Sequence, residues 1–287
     1  MTIIQIPEPP PDPKPQPTRD RYDRYIIGGK PHTRVTTIAK TIDDTYNLTK
    51  WGKRLVAQGV ASNPRIAGQI VAAAGNKKQL DAICEQALDA AGGNEARNIG
   101  DLLHRLCELV DLGQEPAHIP DPWAADIDAY KQAIHTHRLT PEHVEVILVN
   151  PDMGYAGTAD NLYRLPDGRL LVGDRKTGGY MSWHTFAVQL ALYANATHLY
   201  NPGADQLTPA PNIDRAEGII VHLPAGQATC RLHTIDLTAG WEAAQLSIAA
   251  RAWITRRDIH TPYTPTNWAV TQPPEPGADP LLSLIHI

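Results

Sequence analysis

The sequence predicts an α/β fold, a mixed sheet core flanked by helices with a helical elaboration in front of it. Three observations carry that expectation. Before residue 140, apolar side chains recur at three- and four-residue spacing, as in Ile99, Leu102, Leu103, Leu106 and Val110. From residue 142 the helical period gives way to short apolar or alternating runs bounded by turn residues, the signature of strands. Those runs are broken by a helical stretch from about Ser182 to Tyr200 and closed by another from about Ala239 to Arg257. Strands and helices interleaved in this order suit a mixed sheet covered on its faces.

Each element has its own reason. Seven prolines between Pro7 and Pro17 make the start of the chain an extended, mobile tail, taken as 1–32. Residues 33–60 begin with a Thr/Val run and continue with helical spacing at Leu48, Trp51 and Leu55. Residues 64–90 read as one or two further helices. Asn94 suits the cap of the helix bearing the Ile99–Val110 stripe, and a helix over 123–138 follows. Strands are expected at 142–149, 157–165 and 169–177, then at 218–223 and 229–237. Prolines return after residue 261. The implied organisation is a tail (1–32), a domain (33–260) and a second Pro-rich tail (261–287). Within the domain, 33–140 is mainly helical and 141–260 holds the sheet.

Composition narrows the function classes. The chain has 287 residues, 42% hydrophobic and 20% charged, the balance of a soluble globular protein. No run approaches the roughly 18 apolar residues of a membrane span. The N-terminus lacks a basic segment followed by an apolar one, so a cytosolic location is expected. Cys84, Cys107 and Cys230 are too few and too scattered for a disulfide framework or an iron–sulfur cluster, and read as buried thiols. A net charge of −5 argues against a wholly basic nucleic-acid binder. It leaves room for a local basic groove, for which Lys50/Lys53/Arg54, Lys77/Lys78 and Arg251/Arg256/Arg257 are candidates.

The segment GTADNLYRLPDGRLLVGDRKTG (157–178) holds the most specific chemistry. Pro166, Asp167 and Gly168 suit a type I turn followed by a left-handed residue, the three-residue hairpin with a glycine bulge. With Leu165 and Arg169 closing it, Asp160 falls opposite Asp174. A two-residue Asp-Gly loop would instead oppose Asp160 to Arg175 and put the two aspartates on opposite faces. The turn residues favour the first register. Facing carboxylates with Cβ atoms roughly 5 Å apart repel unless one is protonated or a cation lies between them. A hard divalent cation, Mg²⁺ or Mn²⁺, would satisfy them. Lys176 shares the face of Asp174, and Arg175 points away, toward a structural or peripheral contact. Gln189 and Tyr193, four apart on the following helix, flank its apolar stripe as a polar pair would at the border of a site.

Taken in order, Gly100-x3-His104, Gly157-Thr-Ala-Asp160, Asp174-Arg-Lys176-Thr-Gly and Gln189-x3-Tyr193 resemble the RecB-like branch of the PD-(D/E)XK nuclease superfamily. ThrArgValThrThrIleAlaLys (33–40) followed by Leu48-x2-Trp51 is similar to the front end of phage-type exonucleases of that branch. The resemblance runs from about residue 33 to 257. It implies a restriction-endonuclease-like core and a metal site of His104, Asp160, Asp174 and the backbone carbonyl of Arg175. Lys176 would stabilise charge or orient water, and Gln189 and Tyr193 would position the DNA strand or Lys176. Glu145, on the preceding strand, is a candidate contact behind the ligands or at a second metal. The implied activity is Mg²⁺-dependent hydrolysis of DNA, single or double stranded, to 5′-phosphate and 3′-hydroxyl ends. An exonuclease on linear duplex is favoured, in recombination or repair in a bacterial or phage-infected cell. A single-strand annealing protein and a homo-oligomeric ring are partners the resemblance suggests. The rivals are a catalytically inactive DNA-binding or recombination scaffold of the same fold, and a structural protein whose hairpin carboxylates merely bind Mg²⁺ or Lys176.

Overall fold

In the computed structural model, residues 15–116 and 119–263 are described. The tails expected over 1–14 and 264–287 lie outside them. The chain divides into a large unit, Met1–Arg251, and a small one, Ala252–Ile287. In the described part of the small unit, Arg256 pairs with Asp258 at 2.7 Å and lies over the Trp253 ring.

The expected mixed α/β architecture is present: nine strands and eight α-helices. The front of the chain departs from expectation first. Tyr25–Ile27 (β1) and Lys30–Arg34 (β2), within the stretch read as tail, pair as a hairpin over Gly28 and Gly29, both at positive φ. β2 then runs parallel to β4 through Thr33–Tyr155 and Arg34–Ala156. Pro-rich composition up to Pro17 hid the two short strands behind it. Helix α1 (Val35–Ala39) follows and buries Val35, Ile38 and Ala39.

Helices α2 (Tyr46–Ser62), α3 (Pro64–Ala72) and α4 (Lys77–Ala90) make a satellite with its own small core around Ile66, Ala73, Ile83 and Ala87. Asn63 and Asn76 accept the N–H groups of Arg65 and Gln79 and so cap α3 and α4. Asn94 precedes α5 (Glu95–Asp111) but does not cap it; its amide donates to Asp89 at 3.3 Å. Leu102, Leu103 and Leu106 of α5 are buried, as their spacing predicts. Helix α6 (Trp123–Thr136) lies beside α5.

The sheet order is β7-β6-β3-β4-β5-β8-β9, formed by β3 (Thr140–Asn150), β4 (Tyr155–Arg164), β5 (Leu170–Lys176), β6 (His198–Asn201), β7 (Gln206–Pro209), β8 (Glu217–His222) and β9 (Arg231–Asp236). Helix α7 (Trp183–Ala194) is shorter than expected. The residues read as its last turn form β6, which pairs with β3 and turns back through β7. The sheet edge wins over local helical spacing because His198–Tyr200 can complete a ladder there. Helix α8 (Leu237–Ile254) closes the order.

Two cores result. One face of the sheet packs against α1, α7 and the start of α8, with Leu148, Ala159, Leu162, Val172 and Ile220. The other packs against α5 and α6 through Tyr163, Leu171, Ile219 and Val221. Each fully buried aliphatic side chain there contributes roughly 1.5–3 kcal/mol. The hairpin register matches the turn chemistry. Leu165 N–H donates to Arg169 O, Gly168 sits at φ 88°, and the rungs run Arg164–Leu170 to Asn161–Gly173.

Candidate metal and active site

Strand alternation fails at one place, and the site is built there. Tyr155 and Ala159 lie in the core under α7, as every second residue should, but so does Leu162, three residues on. The pleat therefore slips between Asp160 and Asn161. On β3 the opposing rung is Glu145, between Val144–Asn161 and Val146–Ala159, and its φ is 49°. A non-glycine residue held there marks a local irregularity fixed by its surroundings. On the other side the β4–β5 ladder stops at Asn161–Gly173. Instead of a backbone rung, the Asp160 carboxylate accepts the Arg175 N–H at 2.6 Å. Asp160 thus lies beside Asp174 where two neighbouring strands part.

Asp174 is buried, with one oxygen hydrogen-bonded and the other in an ion pair. Its Oδ1 accepts from Gln189 Nε2 at 2.9 Å, and its Oδ2 pairs with Lys176. Lys176, 24% exposed, also lies over the Phe186 ring with its Nζ 4.8 Å from the centroid. Burial pushes the Asp174 carboxyl up to about 6, against the pull of Lys176 and with the help of Asp160. Burial works against charge on Asp160 too, but His104, Arg175 and Lys176 outweigh it and hold its pKa below the ordinary value. Lys176 goes up: burial opposes the ammonium, and Asp174 and Asp160 overcome that. The two carboxylates are therefore driven apart in acidity by their neighbours.

His104 reaches this group from α5, its Nδ1 3.5 Å from Asp160 Oδ2. Burial lowers its pKa, partly countered by Asp160. Tyr193 donates to the Thr158 carbonyl at 2.7 Å and is buried. Gln189 and Tyr193 are both buried on α7, within its apolar packing rather than flanking it. Gln189 fixes Asp174, and Tyr193 fixes the strand behind Asp160. Gly157 is required by that packing, since a Cβ there would lie 2.8 Å from the Tyr193 ring and 2.9 Å from Val35.

Of the two contacts expected of Arg175, the structural one is present. Its side chain leaves the face of Lys176, as alternation demands, and enters a buried charge network. The guanidinium, 1% exposed, bonds Asp111 at 2.7 Å and Glu145 at 3.0 Å, with its Nε 3.7 Å from Asp160. Asp111, at the last turn of α5, additionally accepts from Tyr130 and Asn161, both at close range. Sequence reasoning missed Asp111 and Asn161. The available signal was Asp111 itself, a carboxylate one residue beyond the apolar stripe, on the helix facing the side of the sheet to which Arg175 points.

The donors fit a hard divalent cation in kind: two carboxylates and an imidazole, with the Arg175 backbone carbonyl between Asp174 and Lys176 in sequence. Asp111, Glu145 and Asp160 gather around the Arg175 guanidinium, and Asp174 pairs with the Lys176 ammonium. The side chains are not gathered into a ready-made cage. Among the described residues, no group of three or more His, Cys, Asp or Glu is placed to hold a metal. Lys176 stands on the Asp174 oxygen that a cation would share.

Beside the group lies a cavity of about 620 Å³, lined by Glu145, Thr158 and Tyr193 together with Tyr25, Arg34 and His143. No helix among the described residues is long and apolar enough to cross a membrane. Compared with known proteins, the chain matches no family model and no curated protein.

Proposed function

We propose that the protein is a metal-dependent DNA nuclease of restriction-endonuclease-like fold, acting as an exonuclease on linear DNA. The observation that carries this reading is Asp174 held between Lys176 and Gln189 at a parted strand, with Asp160 and His104 alongside. Phosphodiester hydrolysis needs a positioned water, positive charge against the five-coordinate phosphate and help for the departing 3′-oxygen.

Asp160, Asp174, His104 and the Arg175 carbonyl would hold Mg²⁺ or Mn²⁺. When bound, the cation would supply Lewis-acid charge and a more acidic water. The chain's residues do the rest. Gln189 orients the Asp174 carboxylate, and Arg175 and its N–H keep Asp160 ionised. Lys176, beside Asp174, would present its ammonium to the phosphate or orient the attacking water. Water adds at phosphorus, the 3′-oxygen leaves with a proton, and 5′-phosphate ends remain.

A second reading has its own observation. Lys176 and Arg175 already pair with Asp174 and Asp160, as they would in an inactive DNA-binding scaffold that needs no metal. Purified protein incubated with end-labelled linear duplex and with closed circular DNA, with Mg²⁺ or EDTA, separates the two. The nuclease reading expects Mg²⁺-dependent loss of the linear form. It also expects Asp174→Ala and Lys176→Ala each to slow that loss by about 100-fold or more while melting as folded proteins. Wild-type rates in either variant, or no digestion by the parent, would overturn it.

A further inference from the structure

The carboxyl ends of β5 and β8 and the amino end of β9 bring further side chains together beside Lys176. In the parallel β5–β8 pairing Lys176 lies beside His222, and in the antiparallel β8–β9 pairing His222 lies beside Arg231. Residues on one rung share a face, so Lys176, His222 and Arg231 form a row, with strands roughly 4.8 Å apart. His233 pairs with Ile220 one rung behind, on the same face. Its ring centroid lies 4.8 Å from that of Trp183 and 6.1 Å from that of His222. Trp183 in turn meets Phe186, the ring beneath the Lys176 ammonium, edge to face.

Chemistry distinguishes this rim from an ordinary solvated surface. Arg231 is exposed and, among the described residues, has no carboxylate partner. His222 offers one nitrogen to the Gly178 carbonyl at 3.1 Å. His233 leaves its buried Nε2 without a protein partner among the described residues. Burial, His222 and Arg231 all disfavour a proton on His233, which makes its ring a neutral stacking surface. A hollow of about 380 Å³ opens between Trp183, His233 and the start of α8, room for a flat ring. Asp236 at its lip is committed to the N–H groups of Thr238 and Ala239. Aromatic faces next to an exposed cation such as Arg231 are what single-stranded nucleic acid recognises, bases on the rings and phosphates on the charge.

We propose that this rim binds the single-stranded DNA flanking the reacting phosphate. A base lies against Trp183 and His233, and successive phosphates lie along Lys176, His222 and Arg231. The proposal rests on the nuclease reading for its link to the reacting phosphate, but the binding is measurable without cleavage. Fluorescence anisotropy of the full-length protein in EDTA would be read with a labelled single-stranded 12-mer and a duplex of equal length. Single strand should bind more tightly than duplex. Trp183→Ala and Arg231→Ala should each weaken it by about tenfold, and Arg231→Ala should lower the slope of log affinity against log salt by about 0.7. Arg231, exposed on the edge strand, keeps the test valid should Trp183→Ala fold poorly. Unchanged affinity in Arg231→Ala, or duplex bound as tightly as single strand, would overturn the proposal. If the protein cuts DNA but Arg231→Ala binds like the parent, the rim proposal alone fails. If it binds single strands through Arg231 but never cuts, the nuclease reading alone fails.

Discussion

Arg175 is the residue on which most of the local arrangement depends. It is buried between Asp111 and Glu145, with Asp160 close to its Nε and accepting its backbone N–H. Removing one partner of a buried charge network leaves the others uncompensated, which costs roughly 3–5 kcal/mol. Arg175→Met should therefore lower the unfolding free energy by that amount in urea titrations. Arg175→Lys should recover little, because an ammonium cannot replace a fork of donors. Asp174 gives a pH test in metal-free protein. Its folded pKa of about 6 lies above the ordinary value of 3.8, so the folded state binds this proton more tightly than the unfolded chain. The group's contribution to stability thus falls as pH rises from about 4 to 6 and is level above. Measured in EDTA, wild type should lose stability relative to Asp174→Asn across that window by roughly a kcal/mol per pH unit. A gap independent of pH would contradict it.

At the scale of elements, α7 is positioned by small residues as much as by large ones. Gly157→Ala would press a methyl group into the Tyr193 ring and Val35. Overpacking of this kind costs about 1–3 kcal/mol. Thermal melting should show the loss, and Mg²⁺-dependent digestion should fall as Gln189 shifts from Asp174. Why some elements were readable follows from where their information lies. The β4–β5 hairpin is local: Pro166, Asp167 and Gly168 dictate a turn, and the turn dictates the register. The α5 stripe is local too. The slip of the pleat at Asp160 is not, because it depends on Glu145 across the rung and on Arg175 from the far strand. Asp111 was invisible for the same reason, its meaning resting on a guanidinium 64 residues away. The β6–β7 hairpin was lost because His198–Tyr200 continues the apolar spacing of α7, and only the open edge of β3 makes it a strand.

For the whole molecule, the helical front (33–140) and the sheet (141–260) meet at the candidate site. His104 and Asp111 come from α5, in the front half, yet they touch Asp160 and Arg175 in the sheet. One guanidinium joins α5, β3 and β5, contacts separated by 64 and 30 residues. Such distant pairs close late, since chain entropy opposes them until nearer contacts have formed. Pulsed hydrogen exchange during refolding should accordingly find the amides of α5 and of Arg175 protected in one kinetic phase. Protection of Arg175 well before α5 would argue otherwise. The buried arginine thus works as an interlock: during synthesis, a chain that has made its hairpin but not yet docked its helix holds Asp160 and Arg175 without Asp111, the contact that α5 supplies.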